Sequence, residues 1–149
     1  MNNQTEFPIQ TPFGAATEDS ISKCELLRGF SFPTDYRRFL QMCNGGLPSR
    51  TLCVVPKLQT SVVVDVFFGI NLKRDFDLEF WWREFGDEMP PYCSIIGGDP
   101  GGNLFLLAGP GLIKGVLYWD HLRNFSRSSD KENTYQIADS FTEFLEILV

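Results

Sequence analysis

Two apolar runs, Tyr92 to Ile96 and Leu104 to Leu107, are separated only by Gly97-Gly98-Asp99-Pro100-Gly101-Gly102-Asn103. Glycine, proline, aspartate and asparagine supply the backbone conformations of a tight turn, so the two runs are expected to pair as an antiparallel hairpin. A third run, Gly115 to Trp119, follows across Gly109-Pro110-Gly111 and continues the pattern. Upstream, Thr51 to Val55 and Thr60 to Phe68 are rich in β-branched and aromatic residues and read as two strands joined at Pro56 and Lys57. Asp120 to Asn133 reads as a polar loop, and Thr134 to Ala138 as a last strand.

Helical periods lie on either side of these strands. Thr17 is placed to cap a first helix in which Ile21, Cys24 and Leu27 recur at three-residue steps, with Glu18 and Asp19 in its first turn and Gly29 at its end. Pro33 and Asp35 open a second, where Tyr36, Phe39, Leu40 and Cys43 follow the i, i+3, i+4, i+7 pattern up to Asn44-Gly45-Gly46. Asp75 to Phe85 carries aromatics at helical spacing and is expected to be an inserted helix, broken by Pro90-Pro91. Ser140-Phe141-Thr142-Glu143 is a capping box, followed by Phe144, Leu145 and Leu148 on one face of a C-terminal helix. Residues 1–16, with Pro8, Pro12 and Gly14, show no period and read as an irregular arm, leaving 17–149 as the domain. The expectation is an α+β single domain: a mainly antiparallel sheet with two N-terminal helices, one inserted helix and a C-terminal helix.

At 149 residues the chain is long enough for one core, and its 14 Phe, 4 Tyr and 3 Trp suit one built without disulfide or metal staples. Cys24, Cys43, Cys53 and Cys93 form no Cys-x-x-Cys pair, and reduced, buried thiols are expected. The first residues lack the charge and apolar stretch of a secretory signal, and Val62 to Phe68 is too short and too charged for a bilayer span, so the expected compartment is the cytoplasm and no membrane partner is expected. A net charge of −6 opposes binding to nucleic acid.

That charge is concentrated. Asp75, Asp77, Glu79, Glu84, Asp87 and Glu88 stand against Arg83 alone, so one short segment carries nearly all of it. Trp81 and Trp82 sit in the same segment, about 100° apart if helical, so one of them is expected to leave the buried face. Two readings stand: a solvated acidic helix whose second tryptophan covers a loop, or a partner-binding surface of tryptophan and charge. For the latter the contact residues are Asp75, Asp77, Glu79, Trp81, Trp82, Glu84, Asp87 and Glu88.

Catalytic signatures are weak. His121 follows Asp120, but neighbours in sequence point apart, and no Gly-x-Ser-x-Gly elbow is present. Asp99 and Asn103 lack the alternating acids and closing Glu of a calcium loop. The glycine-rich turn is neither a Walker loop nor a dinucleotide fingerprint, since no Gly-Lys-Ser/Thr and no helix follows. Neither a catalytic residue nor a metal or other cofactor is expected; an enzyme pairing His121 with Asp99 or Asp120 is the weakest alternative.

Taken in order, Phe32-Pro33-Thr34-Asp35-Tyr36-Arg37-Arg38-Phe39-Leu40, Asn44-Gly45-Gly46, Phe67-Phe68-Gly69-Ile70, Ile96-Gly97-Gly98-Asp99-Pro100-Gly101-Gly102-Asn103, Val116-Leu117-Tyr118-Trp119-Asp120-His121 and Ser140 to Leu145 resemble the SUKH superfamily of bacterial immunity proteins. Phe32 stands where the proline motif usually has leucine, and the first 16 residues lie outside the match. The resemblance implies an α+β fold and a non-enzymatic role: binding and neutralising a cognate polymorphic toxin, often a basic nuclease or other nucleic-acid-modifying enzyme. The same superfamily includes fungal cell-wall-assembly regulators that act as scaffolds, so a regulatory binding module is the alternative. Partner specificity is expected on variable surface, and for a basic toxin the acidic segment has a physical use in capture.

Overall fold

In the computed structural model, residues 7–111, 113–121 and 133–149 are described. Four helices and nine strands are seen among them: β1 (Ile9–Pro12), α1 (Glu18–Arg28), α2 (Thr34–Met42), β2 (Gly46–Pro48), β3 (Leu52–Val55), β4 (Thr60–Val63), β5 (Val66–Phe67), α3 (Leu78–Phe85), β6 (Cys93–Gly98), β7 (Leu104–Ala108), β8 (Val116–Trp119), β9 (Thr134–Ala138) and α4 (Phe141–Ile147). Seven strands form one antiparallel sheet in the order β1-β2-β5-β6-β7-β8-β9, and β3 pairs with β4 as a separate hairpin. The α+β architecture is therefore as expected. Strands β6, β7 and β8 are buried along their whole length, so both faces of the sheet centre are covered.

The core is aromatic. Phe67 on the two-residue strand β5 lies within 5.5 Å of Phe39 on α2, 5.9 Å of Phe141 and 6.0 Å of Phe144 on α4, ring centre to ring centre. Tyr36 packs edge-on against Phe32 and Phe141. Asp35 joins the two helix starts: its Oδ1 accepts from Tyr36 N, and its Oδ2 accepts from both the N–H and the hydroxyl of Thr142 at the head of α4. The Pro-x-Asp-Tyr motif thus starts one helix and holds another.

The cap residues act as the sequence predicts. Thr17 Oγ1 accepts from Ser20 N, Gly29 closes α1 at φ +84°, and Ser140 Oγ accepts from Glu143 N. The capping box is only half formed, because Glu143 Oε1 accepts from Asp139 N rather than from Ser140. Four other readings need correction. Residues 9–12 are not irregular: they form the edge strand β1 against β2, where Pro12 costs no ladder bond that the sheet needs. Thr60 to Phe68 is two strands in two sheets, since Val64 N donates to Thr51 and Asp65 N to Gly98, which turns the chain from one partner to the next. Asp77 divides the 75–85 helix into a 3-10 turn over Arg74–Phe76 and α3 proper. Leu27 is not on the buried stripe of α1. Steps of three residues fall about 60° short of a full turn, so Leu27 has drifted far from Ile21, and Arg28 takes the inward place instead. Of the polar loop, residues 122–132 lie outside the described residues.

All four cysteines are free and buried, and burial pushes the thiols of Cys24, Cys43 and Cys53 up to about 11. Alkylation of these three in the folded protein at neutral pH is expected to be at least about 100-fold slower than in the urea-unfolded chain, and to accelerate as pH rises toward 11. Equal rates in the two states would contradict the packing described.

Candidate functional site

The glycine-rich turn and the Tyr-Trp-Asp-His block form one locked unit. Asp99 N donates to Asn103 O, Asn103 N donates to Asp99 Oδ1 at 2.9 Å, and Tyr118 OH donates to Asp99 Oδ2 at 2.8 Å. Asn103 Nδ2 donates in turn to Tyr118 OH, and His121 Nε2 donates to Gly102 O at 2.6 Å. Burial and the bond to Asp99 push the Tyr118 phenol above its ordinary range. Asp99 and His121 are each committed to holding the turn. Among the described residues no group of three or more His, Cys, Asp or Glu side chains is arranged to hold a metal ion, and no helix is long and apolar enough to cross a membrane.

The acidic segment is built differently. Asp77 caps α3, its Oδ2 accepting from Phe80 N and its Oδ1 from Leu72 N, so this carboxylate works on the backbone. Trp82 is buried against Phe32 and under the guanidinium of Arg28, 4.4 Å from the ring centre. That guanidinium also donates to Cys93 O, and burial lowers its pKa. Trp82 is thus a core residue, and Trp81 is the one that leaves the interior. Trp81 is half-buried, stacked between Phe68 at 4.9 Å and Phe85 at 5.8 Å, with its indole N–H donated to Asp75 O. The row of rings continues from Phe85 to His121 and Trp119.

The remaining carboxylates face outward. Asp75 lies 3.5 Å from Arg74, and Glu79 lies 3.6 Å from Arg83 one turn on, both pairs well exposed and so weak. Glu84, Asp87 and Glu88 are exposed and carry no ion pair among the described residues. The eight residues singled out from sequence therefore divide: Asp77 and Trp82 serve the fold, Trp81 forms a half-exposed aromatic plate, and the other five place negative charge in solvent. The short helix buries Leu78 and Trp82 and leaves Glu79, Arg83 and Glu84 exposed, with Asp75 exposed before it and Asp87 and Glu88 after it.

Fold and site together define a single-domain α+β protein whose recurrent motifs hold turns and helix starts, with acidic residues gathered in the segment around one inserted helix. Residues 15–147, most of the chain, match the SMI1 / KNR4 family (SUKH-1), and the chain belongs to that family. No curated protein matches it.

Proposed function

We propose that this chain is a cytoplasmic immunity protein that binds a basic toxin by protein–protein contact and blocks it without catalysis. The observation that carries this reading is the run of exposed carboxylates on and after α3: Glu84, Asp87 and Glu88 are exposed, carry no ion pair among the described residues, and follow the half-buried Trp81 closely in the chain. Solvent-facing charge of one sign steers an oppositely charged partner and speeds encounter, which matters for an inhibitor that must reach an enzyme before it acts. Membership of the SMI1 / KNR4 family (SUKH-1) supports a binding role.

Co-expression with the toxin domain encoded beside this chain's gene is expected to restore growth, and the purified proteins are expected to form a stable complex in which the toxin is inactive. Growth that stays blocked with both proteins folded would contradict the reading. A complex that leaves the toxin active would favour the scaffold role instead.

A further inference from the structure

The end of α1 carries apolar side chains that the core does not use. Leu26 is 81% and Leu27 68% exposed, and single exposed leucines are ordinary, but an adjoining group of large ones is not. Leu26 lines an open groove with Gly29 and Phe30. The Phe30 ring lies over Gly109, where an added Cβ would sit 2.5 Å from the ring, so the ring is seated on bare backbone. It also lies edge-on to Tyr92 at 6.3 Å.

Tyr92 is 62% exposed and has φ +60°, a conformation that glycine or asparagine adopts more readily than an aromatic residue. Its carbonyl accepts from Gly109 N, which fixes the backbone while the ring faces solvent. Strain held at an outward-facing aromatic points to use of the ring beyond folding.

Two carboxylates of the α3 segment border this apolar group on one side. Leu27 lines a cleft between α1 and α3 together with Lys23, Asp77 and Glu79, and the two carboxylates add to the burial that raises the pKa of Cys24 on α1. At the other end Asp87 and Glu88 come shortly before Tyr92 in the chain, across Pro90-Pro91. An apolar centre with a charged rim is the anatomy of a protein interface.

We propose that Leu26, Leu27, Phe30 and Tyr92 form the apolar centre of the partner-binding face, and that its occupant is a basic protein surface presenting an apolar side chain among lysines and arginines. This rests on the toxin-binding reading above and adds to it the residues that set how long the complex lasts. Charge argues for a different protein over a second copy of this chain, since two such faces would bring like acidic rims together.

The test uses a catalytically inactive form of the toxin domain encoded beside this chain's gene, with association and dissociation rates measured separately. Leu26→Ser combined with Leu27→Ser is expected to raise the dissociation rate at least about tenfold and to change the association rate less than about twofold. Tyr92→Gly is expected to do the same while leaving the melting temperature unchanged or higher, because glycine accepts the positive φ. A merely structural role for Tyr92 would not separate the two readouts. Unchanged dissociation in these variants, with the wild type binding normally, overturns the apolar centre and leaves the toxin reading standing. Failure of the wild type to bind overturns both. A dimer of the wild-type chain that Leu26→Ser with Leu27→Ser dissolves would make the second copy the occupant and overturn the proposal.

Discussion

Phe67→Ala is expected to lower the unfolding free energy by about 3–5 kcal/mol, the range for deleting a large buried aromatic, and the melting temperature by roughly 10 °C or more. Phe67 is fully buried and, from the sheet, touches both α2 through Phe39 and α4 through Phe141 and Phe144. Its strand, β5, spans only Val66–Phe67, so few backbone bonds compensate for the lost ring. Three neighbours on two helices cannot all collapse inward without moving those helices, which keeps the cavity term large. Phe67→Leu is expected to cost substantially less. As a control, Leu26→Ala should change stability by no more than about 0.5 kcal/mol, since that side chain touches little in the folded chain. A loss below about 1.5 kcal/mol for Phe67→Ala in urea titration would show that the helices are not held through this ring.

Asn44→Ala is expected to cost a similar amount for a polar reason. The buried Asn44 side chain clasps one residue: its Nδ2 donates to Ile70 O at 2.9 Å, and its Oδ1 accepts from Ile70 N at 2.8 Å. Alanine leaves the buried N–H and C=O of Ile70 without that partner, at about 1–3 kcal/mol each. It also puts a Cβ-bearing residue without a compensating side-chain bond at φ +49°, for roughly 1 kcal/mol more. Asn44→Gly removes the backbone cost and keeps the unpaired peptide, so it is expected to be more stable than Asn44→Ala by about 1 kcal/mol, yet still well below wild type. Chemical denaturation of the three proteins separates the terms. Equal stability of the glycine and alanine variants would show that the left-handed backbone is not where strain resides. The following Gly45 has no such choice: at φ +83° an added Cβ would meet Phe67 O at 2.6 Å, so the turn brings α2's end directly onto β5.

Features decided locally were legible in the sequence. Thr17, Gly29 and Ser140 bond within four residues of themselves, and the apolar stripe of α2 is complete in nine residues, so neighbours in the chain settle both. The hairpin of β6 and β7 was legible for the same reason, since Asp99 and Asn103 close it on themselves. What escaped depends on distant partners. β1 follows Pro8, ends on Pro12 and has no alternation, and it becomes a strand only because the short strand β2 offers it an edge. The break inside Thr60 to Phe68 is set by Thr51 and Gly98, far off in sequence.

The candidate site shows the same division. That charge gathers between Asp75 and Glu88 is plain from composition along the chain. Which of those residues reach solvent is a packing result: Asp77 is taken up by the first turn of α3 and Trp82 by Arg28 and Phe32. The apolar group at Leu26, Leu27, Phe30 and Tyr92 was missed because Leu27 completes a three-residue pattern that looks inward. The angular drift of that pattern was the signal that would have found it.

The acidic face is tested most directly by the ionic-strength dependence of association between this chain and the basic toxin domain proposed as its partner. Stopped-flow rates are expected to rise steeply as salt is lowered from about 0.15 M toward 0.01 M, where the screening length grows from ~8 to ~30 Å. In the variant carrying Glu84→Gln, Asp87→Asn and Glu88→Gln, which spares the helix cap at Asp77, the low-salt rate is expected to fall about tenfold and the salt slope to flatten. An association rate and slope indistinguishable from wild type would contradict the acidic face as the capture surface.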